Sequence, residues 1–220
     1  MRLGIVIAIA GVLGAVFVWA ATEERSEIVP QTAPDHHAAA SSADSSAAGT
    51  ELIGQPAPGW NIQDWRNSPP LELAELRGKV VLVRWWTDTC PFCRRSAPAL
   101  NEFHEKYQAR GLVVIGMYHP KPLHRSVTLD AIQAAADQRG FRFPIAVDRD
   151  WSELRRWWLE DRRRGATSVS FLIDKRGVIR HVHPGPVFHR EVLHGNEGPR
   201  ADFLKLQQAI EMLLAEASPE

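Results

Sequence analysis

Cysteine is nearly absent from this chain: there are two in 220 residues, Cys90 and Cys93. A framework of structural disulfides is therefore excluded, and a four-cysteine zinc site cannot be assembled from one copy. Charge of one sign is lacking too. Twenty-six basic residues balance 26 acidic ones, so composition implies no nucleic-acid partner and no acidic surface as target. Aromatic residues are missing from positions 22–58, and positions 38–48 are almost wholly alanine and serine. Such a stretch cannot bury enough apolar area to offset its ordering entropy, so residues 22–50 are expected to be a flexible linker. His36 and His37 lie within it, with no other metal ligand nearby in sequence.

Ahead of the linker, residues 3–21 carry no charge. Wound as a helix they span about 28 Å, close to the hydrocarbon thickness of a bilayer. Arg2 precedes the run and Glu23-Glu24 follow it, which keeps the N-terminus cytoplasmic and sends the remainder out. Residues 1–21 thus read as a single-pass anchor, with a signal peptide cleaved near Val18 and Ala20 as the alternative. Either reading exports the rest of the chain, to the periplasmic or extracytoplasmic side of the cell inner membrane.

From residue 51 onward the pattern is that of one folded α/β domain, 51–220. Residues 80–86 are nearly continuous apolar sequence, the mark of a strand covered on both faces, and residues 112–117 form a second such run. Between them Cys93, Ala97, Leu100 and Tyr107 trace one face of a helix that Gly111 stops, so the two strands are expected to be parallel. A further helix is expected over 128–139, and a short strand over 144–147. Asp150 and Glu153 suggest a capping box for a helix through Trp157 and Leu159. The Arg162-Arg163-Arg164 run reads as a solvated turn. Residues 170–173 and 178–182 flank Asp174-Lys175-Arg176-Gly177, a hairpin signal, and Phe203, Leu206, Ile210, Leu213 and Leu214 define a last amphipathic helix.

The chemistry concentrates in residues 84–98, a strand end, a loop and a helix start that together hold both cysteines. Unpaired N–H groups and the positive end of the helix dipole favour thiolate there, and the two-residue spacing puts both sulfurs on one turn. Cys90 is expected to be the exposed nucleophile and Cys93 the resolving thiol. Pro91 suits the first helical position, where its missing N–H costs nothing, and Phe92 offers an apolar contact beside the sulfurs. A plain stabilising disulfide would close so short a loop that little chain entropy is gained.

Leu76-Arg77-Gly78-Lys79 before the central strand, Trp86 four residues before Cys90, the Cys90-Pro91-Phe92-Cys93 motif, and Pro98 in the helix form one set of features. With Phe171-Leu172-Ile173-Asp174 and Gly177-Val178-Ile179, they make the chain similar to the TlpA/ResA-like thiol-disulfide oxidoreductases. That resemblance implies a thioredoxin-like fold, a mixed sheet with helices on both faces. It implies disulfide exchange with protein dithiol or disulfide partners, recharging by a membrane electron donor, and no organic cofactor or metal. It also implies supporting roles for Trp86 and for Pro98, which sits where these proteins kink the active-site helix.

Four positions depart from the family pattern. Ser168 stands where members carry a cis-proline facing the disulfide; a cis bond before a non-proline residue costs about 3–4 kcal/mol, so a trans or reshaped loop is expected. Arg84 stands six residues before Cys90, where thioredoxins bury a carboxylate. It either faces the thiols, lowering the Cys90 pKa, or pairs with an acid such as Glu102. Thr89 and Ser96 replace a tryptophan and a glutamate, making the surroundings of the thiols more polar.

Two other functions compete. A peroxiredoxin-like thiol peroxidase would use Thr87, three residues before Cys90, although Val83 stands where that pattern has proline. A copper- or zinc-binding module would draw on His181, His183, His189 and His194 together with the thiols. His119, just past the second strand, lies near the expected edge of the active site.

Overall fold

The computed structural model describes residues 48–161, 164–192 and 195–218. The anchor expected over 1–21, the linker as far as residue 47, His36-His37, Arg162-Arg163 and His194 lie outside these residues. Among the described residues no helix is long and apolar enough to cross a membrane.

Six strands form one mixed sheet among the described residues: β1 (Trp65–Arg66), β2 (Val80–Trp86), β3 (Leu112–Tyr118), β4 (Ile145–Val147), β5 (Ser170–Ile173) and β6 (Ile179–His183). Their order across the sheet is β1-β4-β3-β2-β5-β6. β2, β3 and β4 run parallel, while β1, β5 and β6 pair antiparallel to their neighbours. β2 is central and all seven of its residues are buried. Side chains alternate across a strand, so Val80, Leu82 and Trp86 enter one apolar cluster and Val81, Val83 and Trp85 the opposite one. Arg84 falls on the Leu82–Trp86 face by the same alternation.

The first cluster is closed by helices α1 (Pro91–Tyr107), α2 (Leu129–Asp137) and α4 (Gly198–Ala215), through Leu100, Phe103, Ile132, Phe203 and Ile210 among others. The second is closed by α3 (Ser152–Leu154), which continues as a π-helical turn over Arg155–Leu159, and by the indoles of Trp60 and Trp65. The expected layering, with helices on both faces of a mixed sheet, is the observed one.

The Asp150–Glu153 capping box does not form. The Asp150 carboxylate accepts the Ser152 N–H and not that of Glu153, and Glu153 instead accepts the Asn61 N–H and pairs with Arg156. The buried carboxylate of Asp148 takes the helix start, accepting the N–H groups of Glu153 at 3.1 Å and Leu154 at 2.8 Å. Arg164 is not solvated either: its side chain, 9% exposed, pairs with Glu51 and lies 4.6 Å from the Trp158 ring. Residues 48–50, expected in the linker, belong to the folded unit, where Ala48 packs on the second cluster and Thr50 opens a 3-10 turn.

Candidate active site

α1 begins where β2 ends, and its capping residue is Cys90. The Cys90 backbone is extended (φ −85°, ψ 120°), and its sulfur accepts the Cys93 N–H at 3.4 Å. Pro91 occupies the first helical position, so the turn carries one orphan donor fewer, and the N–H of Cys93 is the one that Cys90 satisfies. Cys90 is half-buried, Cys93 is buried in the first cluster, and both are free thiols. Phe92 stands beside them, 41% exposed.

Ser168 lies across from the helix start, with its hydroxyl 3.2 Å from Cys93 Sγ and 3.9 Å from Cys90 Sγ. Thr167–Ser168 is not among the cis peptide bonds, so this loop is trans as expected. A hydroxyl thus touches both sulfurs at the position where the family has an apolar ring.

Arg84 is 1% exposed. It donates to Ser170 Oγ at 3.1 Å and to the Pro186 carbonyl at 2.7 Å, and its guanidinium stands 5.2 Å from the Phe188 ring centroid. All three neighbours are uncharged. The alternative partner is excluded, because Glu102 pairs with Arg190. Burial pulls the Arg84 pKa down, while Cys93 and then Cys90 push it back up, the former also through a hydrogen bond.

The two thiols divide their roles electrostatically. The Cys93 S–H donates to Cys90 and holds it down to about 5 against the opposing effect of burial, with help from the Cys93 N–H, Ser168 and the Phe92 N–H. Cys93 moves the opposite way, pushed up by that hydrogen bond and by burial, while the Arg84 charge and the Ser168 hydroxyl oppose the rise. Arg84 therefore acts on the buried sulfur more than on the exposed one.

Other expected site residues are spread more widely. Trp86 is buried behind the site, edge-on to Tyr118 and Phe141, with the Arg139 guanidinium 5.4 Å from its ring. Pro98 lies on the exposed side of α1 and lines a groove of about 630 Å³ with Arg94, Arg95, His189 and Glu191. Thr89 is exposed, but Ser96 is fully buried and accepts the Phe188 N–H at 3.2 Å, so it adds no polarity to the surface. The Thr87 hydroxyl donates to Asp88, whose carboxylate also accepts from Tyr118 and Arg125.

Among the described residues the histidines do not gather into a ligand set. His183 accepts the Gly185 N–H at Nδ1 and meets Asp202 at Nε2, while His189 Nδ1 lies 3.0 Å from the Glu191 carbonyl. No group of three metal-ligating side chains occurs among the described residues. His119 is fully buried against Trp151, with its pKa held down to about 3 by burial. Ser170, Pro186 and Phe188, which cradle Arg84, carried no signal in the sequence: they are ordinary residues 86 to 104 positions away, Ser170 brought in by the pairing of β2 with β5 and the other two by the chain that follows β6.

The chain matches the AhpC/TSA family over residues 53–182. It is similar to the protein DipZ of Mycobacterium tuberculosis, 34% identical over 131 residues, which cover 56% of this chain and 17% of DipZ. The thiol-disulfide oxidoreductase ResA of Bacillus anthracis is 30% identical over 127 residues, 58% of this chain and 66% of ResA. The match thus spans less than two thirds of either relative's length. Among solved structures, a thiol-disulfide isomerase from Corynebacterium glutamicum superposes with a TM-score of 0.56 at 28% identity, covering 73% of this chain and 98% of that one. Sequence and fold agree that the chain belongs to the AhpC/TSA family, as a TlpA/ResA-like member built on the thioredoxin-like fold.

Proposed function

We propose that the chain is a thiol-disulfide oxidoreductase that exchanges disulfides with protein partners outside the cytoplasm. One observation carries this reading: a half-exposed sulfur caps α1 as a stabilised thiolate, with a second sulfur buried one turn inside. Such a pair suits attack on a partner disulfide by Cys90, followed by release through Cys93. The names of ResA and of the superposed isomerase support the same reaction class. The Thr87 hydroxyl is engaged by Asp88, which weighs against a peroxidase that would need it at Cys90.

Delivery to the extracytoplasmic side rests on the uncharged run at 3–21 and the acidic pair after it. The resemblance favours a reductase recharged by a membrane electron donor. A second direction, oxidase or isomerase, is favoured by the Cys90 thiolate itself, since stabilising the reduced form makes the disulfide the stronger oxidant. Equilibrating the full chain with glutathione or dithiothreitol at pH 7 tests both. A potential near or below about −250 mV supports the reductase, and one between about −120 and −180 mV the oxidase or isomerase. A pair that does not cycle at all removes the proposed function.

A further inference from the structure

Arg84 is a buried cation with no carboxylate among its contacts. Apart from the Cys93 sulfur its partners are a serine hydroxyl, a carbonyl and a phenyl ring, and its Nε has no acceptor. Enclosing a guanidinium without a counter-ion costs several kcal/mol. The anions that could answer it are the sulfurs of Cys93 and Cys90. The remaining charged and titratable groups around this pair are accounted for. Asp88, in the loop before α1, is held by Arg125 and Tyr118. Arg139, after α2, is another cation beside Cys93. His119, beyond β3, and His183, on β6, are kept neutral by burial. Among the described residues no carboxylate stands ready to take the Cys93 proton.

We propose that Arg84 and Ser168 together hold Cys93 as a thiolate during resolution, doing with a fixed charge and a hydroxyl what a proton-accepting carboxylate would otherwise do. The inference rests on the exchange reaction above and identifies the groups that drive its second half. In the free dithiol one negative charge resides on Cys90, and Cys93 donates its S–H to it. When Cys90 enters a mixed disulfide that charge disappears, and with it the hydrogen bond that kept Cys93 protonated. The Cys93 proton then passes to water, the thiolate lies in the field of Arg84, and the Ser168 hydroxyl donates to it across 3.2 Å. Cys93 attacks Cys90 Sγ, the Cys90–Cys93 bond forms, and the partner's sulfur leaves with the electron pair as a thiolate. Two electrons have passed from the dithiol to the partner.

The full chain, reduced and mixed rapidly with dithionitrobenzoate, reports the two halves separately. Loading of Cys90 releases one thionitrobenzoate at a rate linear in probe concentration. Attack by Cys93 releases the second at a rate independent of it. In Arg84→Met the second phase slows about tenfold or more at pH 6.5 and returns to the unmodified plateau at high pH, as expected for a thiol whose ionisation moves up by a unit. Arg84→Lys recovers part of the loss, and Ser168→Ala slows the phase about threefold, as expected for an upward shift of about half a unit. A second phase with an unmoved pH profile in Arg84→Met overturns the proposal. If that variant does not fold, judged by circular dichroism, unmoved profiles in Arg84→Lys and Ser168→Ala overturn it equally. Absence of a second phase in the unmodified chain defeats the exchange reaction itself, and the proposal with it.

Discussion

The backbone N–H of Cys93 donates to Cys90 Sγ across 3.4 Å, so the exposed sulfur caps the helix through the backbone of the residue whose own thiol stands ready to displace its partner. Part of the Cys90 stabilisation is therefore independent of the Cys93 side chain. Thiolate absorbance of the reduced chain should titrate near pH 5. In Cys93→Ala the midpoint should rise without reaching the value of a free thiol, about 8.5, because the N–H remains. A midpoint unchanged by the substitution would remove the S–H donor from the account.

The same depressed value links the reduced state to pH. Cys90 binds its proton less well folded than unfolded, so its contribution to stability is fully present above about pH 8.5. That contribution is lost as pH falls through the folded value of about 5. Urea midpoints of the reduced chain, compared with Cys90→Ser at pH 9 and pH 4, should differ at the higher pH and converge at the lower. Equal differences at both would contradict the linkage.

Asp148 accepts from three buried donors: the N–H groups of Glu153 and Leu154, and the Trp85 indole N–H at 3.3 Å. Asp148→Ala should lower stability by about 2–4 kcal/mol, since buried donors left without partners are costly. Asp148→Asn should lose less. Chemical denaturation measures both, and a loss below about 1 kcal/mol for alanine would show that water replaces the carboxylate.

Gly116 lies where β3 passes beneath Trp86. A Cβ there would stand 2.9 Å from Trp86 Nε1 and 3.2 Å from Phe143 Cε2. Gly116→Ala should cost about 1–3 kcal/mol by overpacking and shift the Trp86 ring against Tyr118 and Phe141. Near-ultraviolet circular dichroism would register that movement, and an unchanged spectrum with full stability would contradict it.

Arg164 links the N-terminal 3-10 turn to the Trp158 ring through Glu51. Arg164→Ala should cost about 1–2 kcal/mol. Arg164→Lys should recover little of it, because an ammonium lacks the planar surface that stacks on the indole. Thermal unfolding of the two variants decides, and full recovery by lysine would reduce the contact to a simple ion pair.

The strands and helices that the apolar patterns marked are those observed, because burial on both faces of β2 and β3 leaves a continuous run that little else explains. β1 was illegible, since two residues cannot display a period. The Asp150 capping box was locally reasonable and lost to Asp148, two residues earlier, which tertiary burial brings over the same N–H groups. Arg164 looked solvated because a run of cations in sequence says nothing of an aromatic face waiting nearby. The two cysteines and their order of exposure were readable from spacing alone. The contact of Ser168 with them was readable only through the resemblance, which puts this position opposite the cysteines: it joins residues 75 positions apart, and no local pattern encodes it.

Trp85 and Trp86 are consecutive in sequence, fully buried, and committed to opposite sides of the same strand. Among the described residues Trp86 is the one tryptophan of the first cluster, whereas Trp85 shares the second with Trp60, Trp65, Trp157 and Trp158. The fluorescence lost in Trp86→Phe therefore isolates the first layer, what remains reports mainly the second, and the two signals would reveal whether the layers melt together or in turn.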